Sequence, residues 1–399
     1  MKLVHNRIVC TLINIYVTKM GFHSINYTEK NLLSMIRKLL VSVFIGVLGW
    51  TNVKAQDPTF TQFYANRTYI NPAYAGADLG LRFNFNYRNL WTAVPGDFST
   101  YSAGVDIGDP NVFGGIGFLA NASNEGEGQL HTQRYSIMYS YRLIVLPRTF
   151  DLHFGIDAAY MSKEIKDWDS FVFSDQLHPI YGNINATNAE RPEKLKVEMP
   201  DFNVGILARF NFKPGGKTVR SSKTIANTLG FAAHHITSPN ESLLGRTEKL
   251  PIRLLGHYSM LVSVSKVRAK KPFYLSPNIM YEHQRNLSTL NVGLYVLRAP
   301  VMFGLWYRNE LKFESDDTDA LMFNIGMRGM SRSKKFMYQI GYSYDLTLSK
   351  LAGSTSGSHE IAVIIEFTRA GFGKKSRNAK KRSRNCYNWQ GPRSTPKIF

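Results

Sequence analysis

The stretch LRFNFNYR, residues 81–88, sets an apolar or aromatic side chain at every second position with a polar one between. Side chains two residues apart lie on the same face of a β-strand, so this stretch predicts a strand with one oily and one polar face. The same period of two recurs along the chain, at Tyr135–Tyr141, Leu152–Tyr160, Phe202–Phe210, Tyr338–Tyr344 and Ile361–Phe367.

Such alternating segments account for most of the chain, and no useful helical period interrupts them. They fall near 81–89, 99–107, 112–121, 131–142, 150–162, 201–211, 226–236, 253–266, 272–284, 288–298, 301–310, 319–328, 335–347 and 358–369. Strands of about 9–11 residues that alternate in this way, with aromatic residues near their ends, are typical of barrels that cross a membrane. We therefore predict an all-β fold, a transmembrane antiparallel β-barrel of about 14 strands. A soluble β-sandwich also alternates, but it would gather its aromatic residues in a core.

The segment MIRKLLVSVFIGVLGWTNVKAQ, residues 35–56, indicates where the barrel would reside. Arg37 and Lys38 precede an apolar run of about a dozen residues, short of the roughly 20 that span a bilayer as a helix, and a small-x-small site ends at Ala55. This pattern predicts a signal peptide over 35–55, cleaved before Gln56, and export to the outer membrane. Residues 1–34 are interpreted as an upstream extension.

Charge is concentrated at the carboxyl end of the chain. The formal net charge is +20, yet residues 369–399 alone hold ten Lys or Arg and no acid, and the body between the signal peptide and this tail carries about +4. The basicity therefore predicts a basic tail rather than a nucleic-acid-binding face. Of the two cysteines, Cys386 alone follows the signal peptide, which excludes a disulfide within the exported chain.

The polar interval near 163–200 is the main insertion, and it is expected to form an extracellular loop or a plug. Glycines at 114, 115 and 117 lack the spacing of a phosphate loop, so they are expected to let a strand bend or to make room for lumen contents. Neither an HExxH nor a GxSxG element is present. We therefore expect no catalytic, cofactor-binding or metal site.

Several short motifs stand near the two ends of the barrel region. They are QDPTFTQFY at 56–64, YINPAYAG at 69–76, YRNLW at 87–91, YSYD at 342–345 and SGSHE at 356–360. Together these motifs resemble the PorP/SprF family of outer-membrane proteins of the type IX secretion system. The residues that carry the resemblance are Asn71, Pro72, Tyr74, Gly76, Tyr87, Arg88, Trp91, Tyr344, Asp345, Ser358, His359 and Glu360.

Each motif also has a local physical interpretation. Asn71 and Pro72 followed by Gly76 predict a turn that leads into the first strand. Arg88 would lie in the lumen and Trp91 at the membrane interface. His359 is expected to hydrogen-bond across a seam of the barrel. These interpretations favour structural roles for the motif residues over direct contact with a partner.

The resemblance implies a barrel without enzymatic activity that works with other type IX secretion components in the periplasm and envelope. It would support secretion or surface attachment of cargo with C-terminal sorting domains, including gliding adhesins, with outer-membrane lipid around it. A passive porin or solute channel is the alternative, because Arg, Asn and Asp on the lumen face would also suit a water-filled pore.

Overall fold

A computed structural model describes residues 57–367, apart from 79, 110–111, 128, 148, 179, 193, 213–224, 244–246, 266–272, 311–317, 332–335 and 350–351. The chain divides into two units, Met1–Asp57 and Pro58–Phe399, and all described strands lie in the second. The predicted upstream extension, the signal peptide and the basic tail with Cys386 lie outside the described residues.

Fourteen antiparallel strands close into a barrel, which confirms the predicted fold class and strand number. Two further short strands, β6 and β7, form a hairpin between β5 and β8. In chain order, the strands are β1 (Gly80–Leu90), β2 (Asp97–Asp109), β3 (Gly114–Gly126), β4 (Leu130–Leu146), β5 (Phe150–Ile165), β6 (Leu177–His178), β7 (Gly182–Asn183), β8 (Lys196–Phe212), β9 (Ile225–His234), β10 (Arg253–Ser263), β11 (Phe273–Gln284), β12 (Leu287–Arg298), β13 (Val301–Glu310), β14 (Thr318–Met330), β15 (Phe336–Thr347) and β16 (Ser358–Phe367).

The barrel closes where the first strand meets the last. β1 pairs with β16 in one continuous register, from Leu81 opposite Phe367 to Leu90 opposite Ser358. In the part of the chain that the structure describes, the named helical elements are short. They are α1 (Arg67–Ile70), α2 (Ala352–Thr355) and two 3-10 turns at Pro72–Tyr74 and Ser174–Gln176. Among the described residues, no helix is both long and apolar enough to cross a bilayer.

In the structure, the alternating residues form an apolar outer face and a polar face toward the lumen. On β1, Phe83 and Phe85 are exposed on the outside, whereas Arg82 and Asn84 are buried toward the lumen. Aromatic side chains stand on the outer face near both ends of the strands, as expected for the two girdles of a membrane barrel. They include Tyr101, Tyr135, Tyr160, Tyr281 and Tyr307 toward one end, and Phe113, Tyr141, Phe212 and Tyr338 toward the other.

The two openings of the barrel differ in the chain segments they carry. We call one the long-loop mouth, because the two longest connections, 166–195 and 235–252, join strands there. We call the other the terminal mouth, because β1 begins and β16 ends there. Every barrel strand runs between these two mouths, so a lumen residue near a strand end lies close to one of them.

Candidate functional site

The lumen holds a segment of the same chain, Pro58–Asp78, which we call the plug. Nearly all of its side chains are buried. Its residues Phe63, Tyr64 and Ile70 pack with inward-facing side chains of β9 to β14 and β16, such as Tyr295 and Trp306, in the largest apolar cluster of the described chain. The plug therefore supplies the core that a barrel of this width would otherwise lack.

The plug starts at the long-loop mouth. The Tyr69 hydroxyl donates to the Pro58 carbonyl at 2.6 Å, and the ring of Tyr69 lies 5.2 Å from the guanidinium of Arg253. Arg253 is the first residue of β10 and pairs with Glu282, close to the end of β11. These strand ends belong to the long-loop mouth, so the first plug residues lie there.

Near the long-loop mouth, the plug joins the first strand to the last two. The amide N–H groups of Thr61 and Gln62 donate to the carboxylate of Glu360 at 2.6 and 3.2 Å. The Thr61 hydroxyl donates to Asp345 at 2.7 Å, and Arg88 donates to both Thr61 Oγ1 and Asp345 Oδ2 at 2.7 Å. Arg88, Asp345 and Glu360 each lie two residues from the end of their strand, and we call these three with Thr61 and Gln62 the seam network.

Near the terminal mouth, a second set of buried charges holds the other end of the plug. Arg82 of β1 donates to the carbonyls of Tyr64 and Ala65, each at 3.0 Å. Arg209 of β8 donates to Asp78 at 3.1 Å, and Asp78 also pairs with Arg67. Buried ion pairs of this kind require a partner for every charge, so the plug and the wall charges depend on each other.

The predicted turn at NPAYAG lies in the middle of the plug. Asn71 Oδ1 accepts from the Ala73 N–H at 2.9 Å and caps the 3-10 turn, while Asn71 Nδ2 donates to the carbonyls of Ile206 and Phe231, each at 3.1 Å. Ser140 of β4 donates to the Ala73 carbonyl at 3.0 Å. The motif therefore does form a turn, but the turn is bound to the lumen wall.

Inward-facing glycines make room for this turn. An added Cβ at Gly155 would overlap the backbone of Ala73, and one at Gly205 would overlap the Asn71 side chain. Gly115 lies against Gly76 in the same way, and Gly76 itself has a φ of +59°, which favours glycine. The expectation that glycines of the 113–118 stretch make room for lumen contents is thus confirmed. We call the row Gly108, Gly115, Gly155, Gly205 and Gly230 the glycine groove.

Filling the glycine groove is expected to unseat the plug. Gly155→Ala places a methyl group where the Ala73 backbone lies, and overpacking of this kind costs about 1–3 kcal/mol. We expect the variant barrel to fold but to expose Arg67 of the plug to trypsin. Gly353→Ala is the matched control, because a Cβ at Gly353 meets nothing within 4 Å. Equal trypsin resistance in both variants would contradict the close packing described above.

The remaining motif residues of the N-terminal part lie on both sides of the wall. Tyr74 is buried in the plug, and its ring stacks on His257 with the centroids 5.4 Å apart. Tyr87 lies on the outer face against Tyr101, and Trp91 directly follows β1 at the long-loop mouth. Trp91 has a φ of +55° and packs against Phe98, 5.6 Å away.

The C-terminal motif residues likewise divide between lumen and outside. Ser358 is buried at the start of β16, whereas His359 faces outward and bonds to the Tyr342 hydroxyl of β15 at 2.7 Å. Tyr344 packs on His359 with the ring centroids 5.1 Å apart. His359 therefore links β15 to β16 and does not bridge the closing pair of β16 and β1. Across that pair, Asn86 donates to Glu360 at 3.1 Å, and Arg88 lies 3.9 Å from the same carboxylate. Arg82 lies 3.6 Å from Glu366 near the other end of the two strands.

The long loop between β5 and β8, residues 166–195, is mostly solvent-exposed and does not form the plug. Trp168 packs against Phe171 and Phe173 in a small aromatic cluster. The β6–β7 hairpin presents apolar side chains to solvent, with Ile180 79% and Tyr181 71% exposed. Exposed apolar side chains that are neighbours make this hairpin a candidate contact surface.

The carboxylate of Asp175 holds two parts of this loop together. Asp175 accepts from the Asn188 amide N–H at 2.7 Å and from the Thr187 hydroxyl at 3.1 Å. The backbone hydrogen bond from Asn188 is the main cause that holds the pKa of Asp175 below its ordinary value. This carboxylate therefore favours the folded loop when it is ionised.

Loss of the Asp175 carboxylate is expected to loosen the loop. Asp175→Ala should speed chymotryptic cleavage between residues 166 and 195 severalfold, with exposed Asp169→Ala as the matched control. The pKa of Asp175 in the folded loop lies below the ordinary value of about 4. The stability that this carboxylate gives to the loop is therefore present above that pH and is lost as pH falls through the folded pKa. In the wild type, cleavage by pepsin should accelerate across that acid range more than in Asp175→Ala.

Within the described ranges, no group of three or more His, Cys, Asp or Glu side chains is arranged to hold a metal ion. Several buried carboxylates of the lumen instead pair with arginines. Arg134, for example, bonds Asp157 at 2.9 Å, and Arg142 pairs with Asp151. The arrangement as a whole fixes a polypeptide segment inside a barrel.

Comparison with known proteins identifies one family. The family model described as type IX secretion system membrane protein PorP/SprF matches residues 52–365. No curated protein matches the chain.

Three of the solved structures to which the chain is similar are all at low identity. BamA from Haemophilus ducreyi lacking POTRA domains 1–3 is 8% identical, with 71% of this chain and 70% of that chain covered and a TM-score of 0.36. The Acinetobacter baumannii outer membrane protein Omp33 is 6% identical, with 73% and 99% covered and a TM-score of 0.34. The Pseudomonas putida toluene transporter TodX is 9% identical, with 79% and 98% covered and a TM-score of 0.34.

Proposed function

Because the chain belongs to the PorP/SprF family of type IX secretion system membrane proteins, we propose that it serves that system as a docking barrel in the outer membrane. In this role, it has no enzymatic activity. It supports secretion or surface attachment of proteins with C-terminal sorting domains, gliding adhesins among them. Its partners are other secretion components in the periplasm and envelope, together with the cargo.

The observation that carries the proposal is the plug. Phe63, Tyr64 and the NPAYAG turn occupy lumen space that a folded cargo protein or bulk solute flow would need. A barrel of this kind acts through its surfaces. The plug thus favours docking over the alternative of a passive porin, which needs an open water-filled lumen.

The two mouths suit two different kinds of partner. In bacterial outer-membrane barrels, long loops lie outside the cell and short turns face the periplasm. In this proposal the long-loop mouth faces outward, and the exposed β6–β7 hairpin and its aromatic cluster contact cargo. The terminal mouth then faces the periplasm, where the basic tail at 369–399 would meet acidic partners or the cell-wall layer. The motif residues of the seam network act in this proposal as structural supports for both faces.

Proteomics with and without this gene tests the proposal, with culture medium, cell surface and periplasm measured separately. Build-up of many sorting-domain proteins in the periplasm would mark a core secretion component. Loss of one surface protein alone would mark a dedicated anchor. No change in any fraction, together with steady ion conductance of the purified barrel in planar bilayers, would overturn the docking role in favour of a channel.

Deleting the two candidate contact segments separately tests which segment contacts cargo and which contacts periplasmic components. Removal of residues 170–190 should abolish cargo display while leaving the barrel intact, because both ends of the deleted segment lie in the exposed loop. Removal of 371–399 should weaken the interaction with periplasmic components. Normal secretion by both deletion variants would refute both assignments.

A further inference from the structure

The plug crosses the whole lumen rather than entering and leaving by one mouth. Its first residues, Pro58 and Thr61, lie at the long-loop mouth, beside Tyr69 and Asp345. Its last residue, Asp78, lies two residues before Gly80, where β1 starts at the terminal mouth. The start of the plug and the end of β16 therefore lie at opposite mouths, although β1 and β16 are neighbours.

The plug rests on one part of the wall and is covered by the other. The glycine groove belongs to β2, β3, β5, β8 and β9, strands that come early in the chain. Large apolar side chains from later strands, such as Tyr295 of β12 and Trp306 of β13, lie over Phe63 and Tyr64. The last strands then close over the plug through the hydrogen bonds that Thr61 donates to Glu360 and Asp345.

We propose that the barrel closes around the plug, so that the plug is seated on the early strands before β1 pairs with β16. In the alternative order, the plug would thread into a barrel that is already closed. Threading would draw the bulky side chains of Tyr64, Arg67 and Tyr74 past the inward-facing wall side chains against which the seated plug packs. It would also carry the Arg67 charge through the apolar cluster before Asp78 could pair with it.

Closure around the plug has a consequence that threading does not share. The chain in front of Pro58 never has to pass through the lumen, so its size is immaterial to folding. A compact folded domain wider than the lumen, fused in front of Gln56, should therefore leave folding unchanged. If the plug threads after closure, the same domain stops it at the terminal mouth.

The test uses the chain from Gln56 to Phe399, refolded from urea into detergent micelles, with the domain at either end. Barrel closure is followed by the mobility shift between unheated and heated samples on gels. Seating of the plug is followed by trypsin, because Arg67 is the one Lys or Arg between Pro58 and Asp78. Gly155→Ala serves as the control for an unseated plug.

We expect both fusions to refold within about twofold of the rate and yield of the unfused chain, with Arg67 resistant to trypsin. A closed barrel with Arg67 cut in the amino-terminal fusion alone would overturn the proposal. Failure of the amino-terminal fusion alone to close would overturn it as well. Neither readout measures secretion, so the result is independent of the docking role.

Discussion

Removal of residues 58–78 is expected to convert a silent barrel into one that conducts ions steadily. Barrels of about 8 strands are filled by their own side chains, whereas those of 16–18 strands leave an aqueous channel. With 14 strands, this barrel lies between the two, and its plug occupies the space that would otherwise hold water. The freed wall would be polar at β1 and β2, since Arg82, Asn84 and Asp106 point inward there.

Planar-bilayer recording of the purified deletion variant measures this change directly. Deletion of 170–190, a segment of equal length in the exposed loop, is the matched control and should stay silent. A synthetic peptide of residues 57–79 should reduce the current when it rebinds the glycine groove. A silent barrel that still shows the heat-dependent mobility shift would mean that other segments close the lumen.

The strands were predictable because their signal is local. A period of two over eight or more residues needs no knowledge of the partner strand, and all fourteen segments found in this way are barrel strands. Their ends were less predictable. The β3 segment was expected to start at 112, yet the strand starts at Gly114, after Phe113 takes a φ of +54°. Local alternation does not report where such a turn ends.

The plug was not predicted because its residues have no period. Between Pro58 and Asp78, apolar and polar residues follow no regular order along the sequence. The plug is surrounded by wall residues, so its apolar side chains need not lie on one face. NPAYAG was therefore interpreted as a turn before the first strand. The loop near 163–200 was considered for the plug because of its length, although its side chains are exposed.

Two sequence signals did point to lumen contents. Glycines at inward-facing positions, such as Gly115 and Gly155, leave space that only a close backbone fills. Arg82 and Arg88 face the lumen from β1, whose outer face is apolar. Each of these arginines therefore needs a hydrogen-bond acceptor inside the barrel. The first signal supports a prediction of lumen contents at one strand alone, β3. The second was assigned to a water-filled lumen, because the sequence does not show which carbonyls face those arginines.

Replacing Arg88 is expected to cost the most stability of any single lumen substitution. Arg88→Met removes the cation between Asp345 and Glu360 and leaves two buried carboxylates without it. Breaking a buried ion pair from one side costs about 3–5 kcal/mol, because the remaining charge is uncompensated. The seam network joins β1, β15, β16 and the plug, so its loss weakens barrel closure and plug seating together.

Glu360→Gln should be milder than Arg88→Met. It removes one of two acidic partners, keeps the side-chain shape and leaves Arg88 paired with Asp345 at 2.7 Å. The cost should be about 1–3 kcal/mol, from weakened acceptance of the Thr61 and Gln62 N–H groups. Urea unfolding in lipid vesicles measures both free energies, with the exposed Arg298→Met as the control. If Arg88→Met proved no more costly than Glu360→Gln, charge balance would not be what holds the seam, and the hydrogen bonds to the plug backbone would carry it instead.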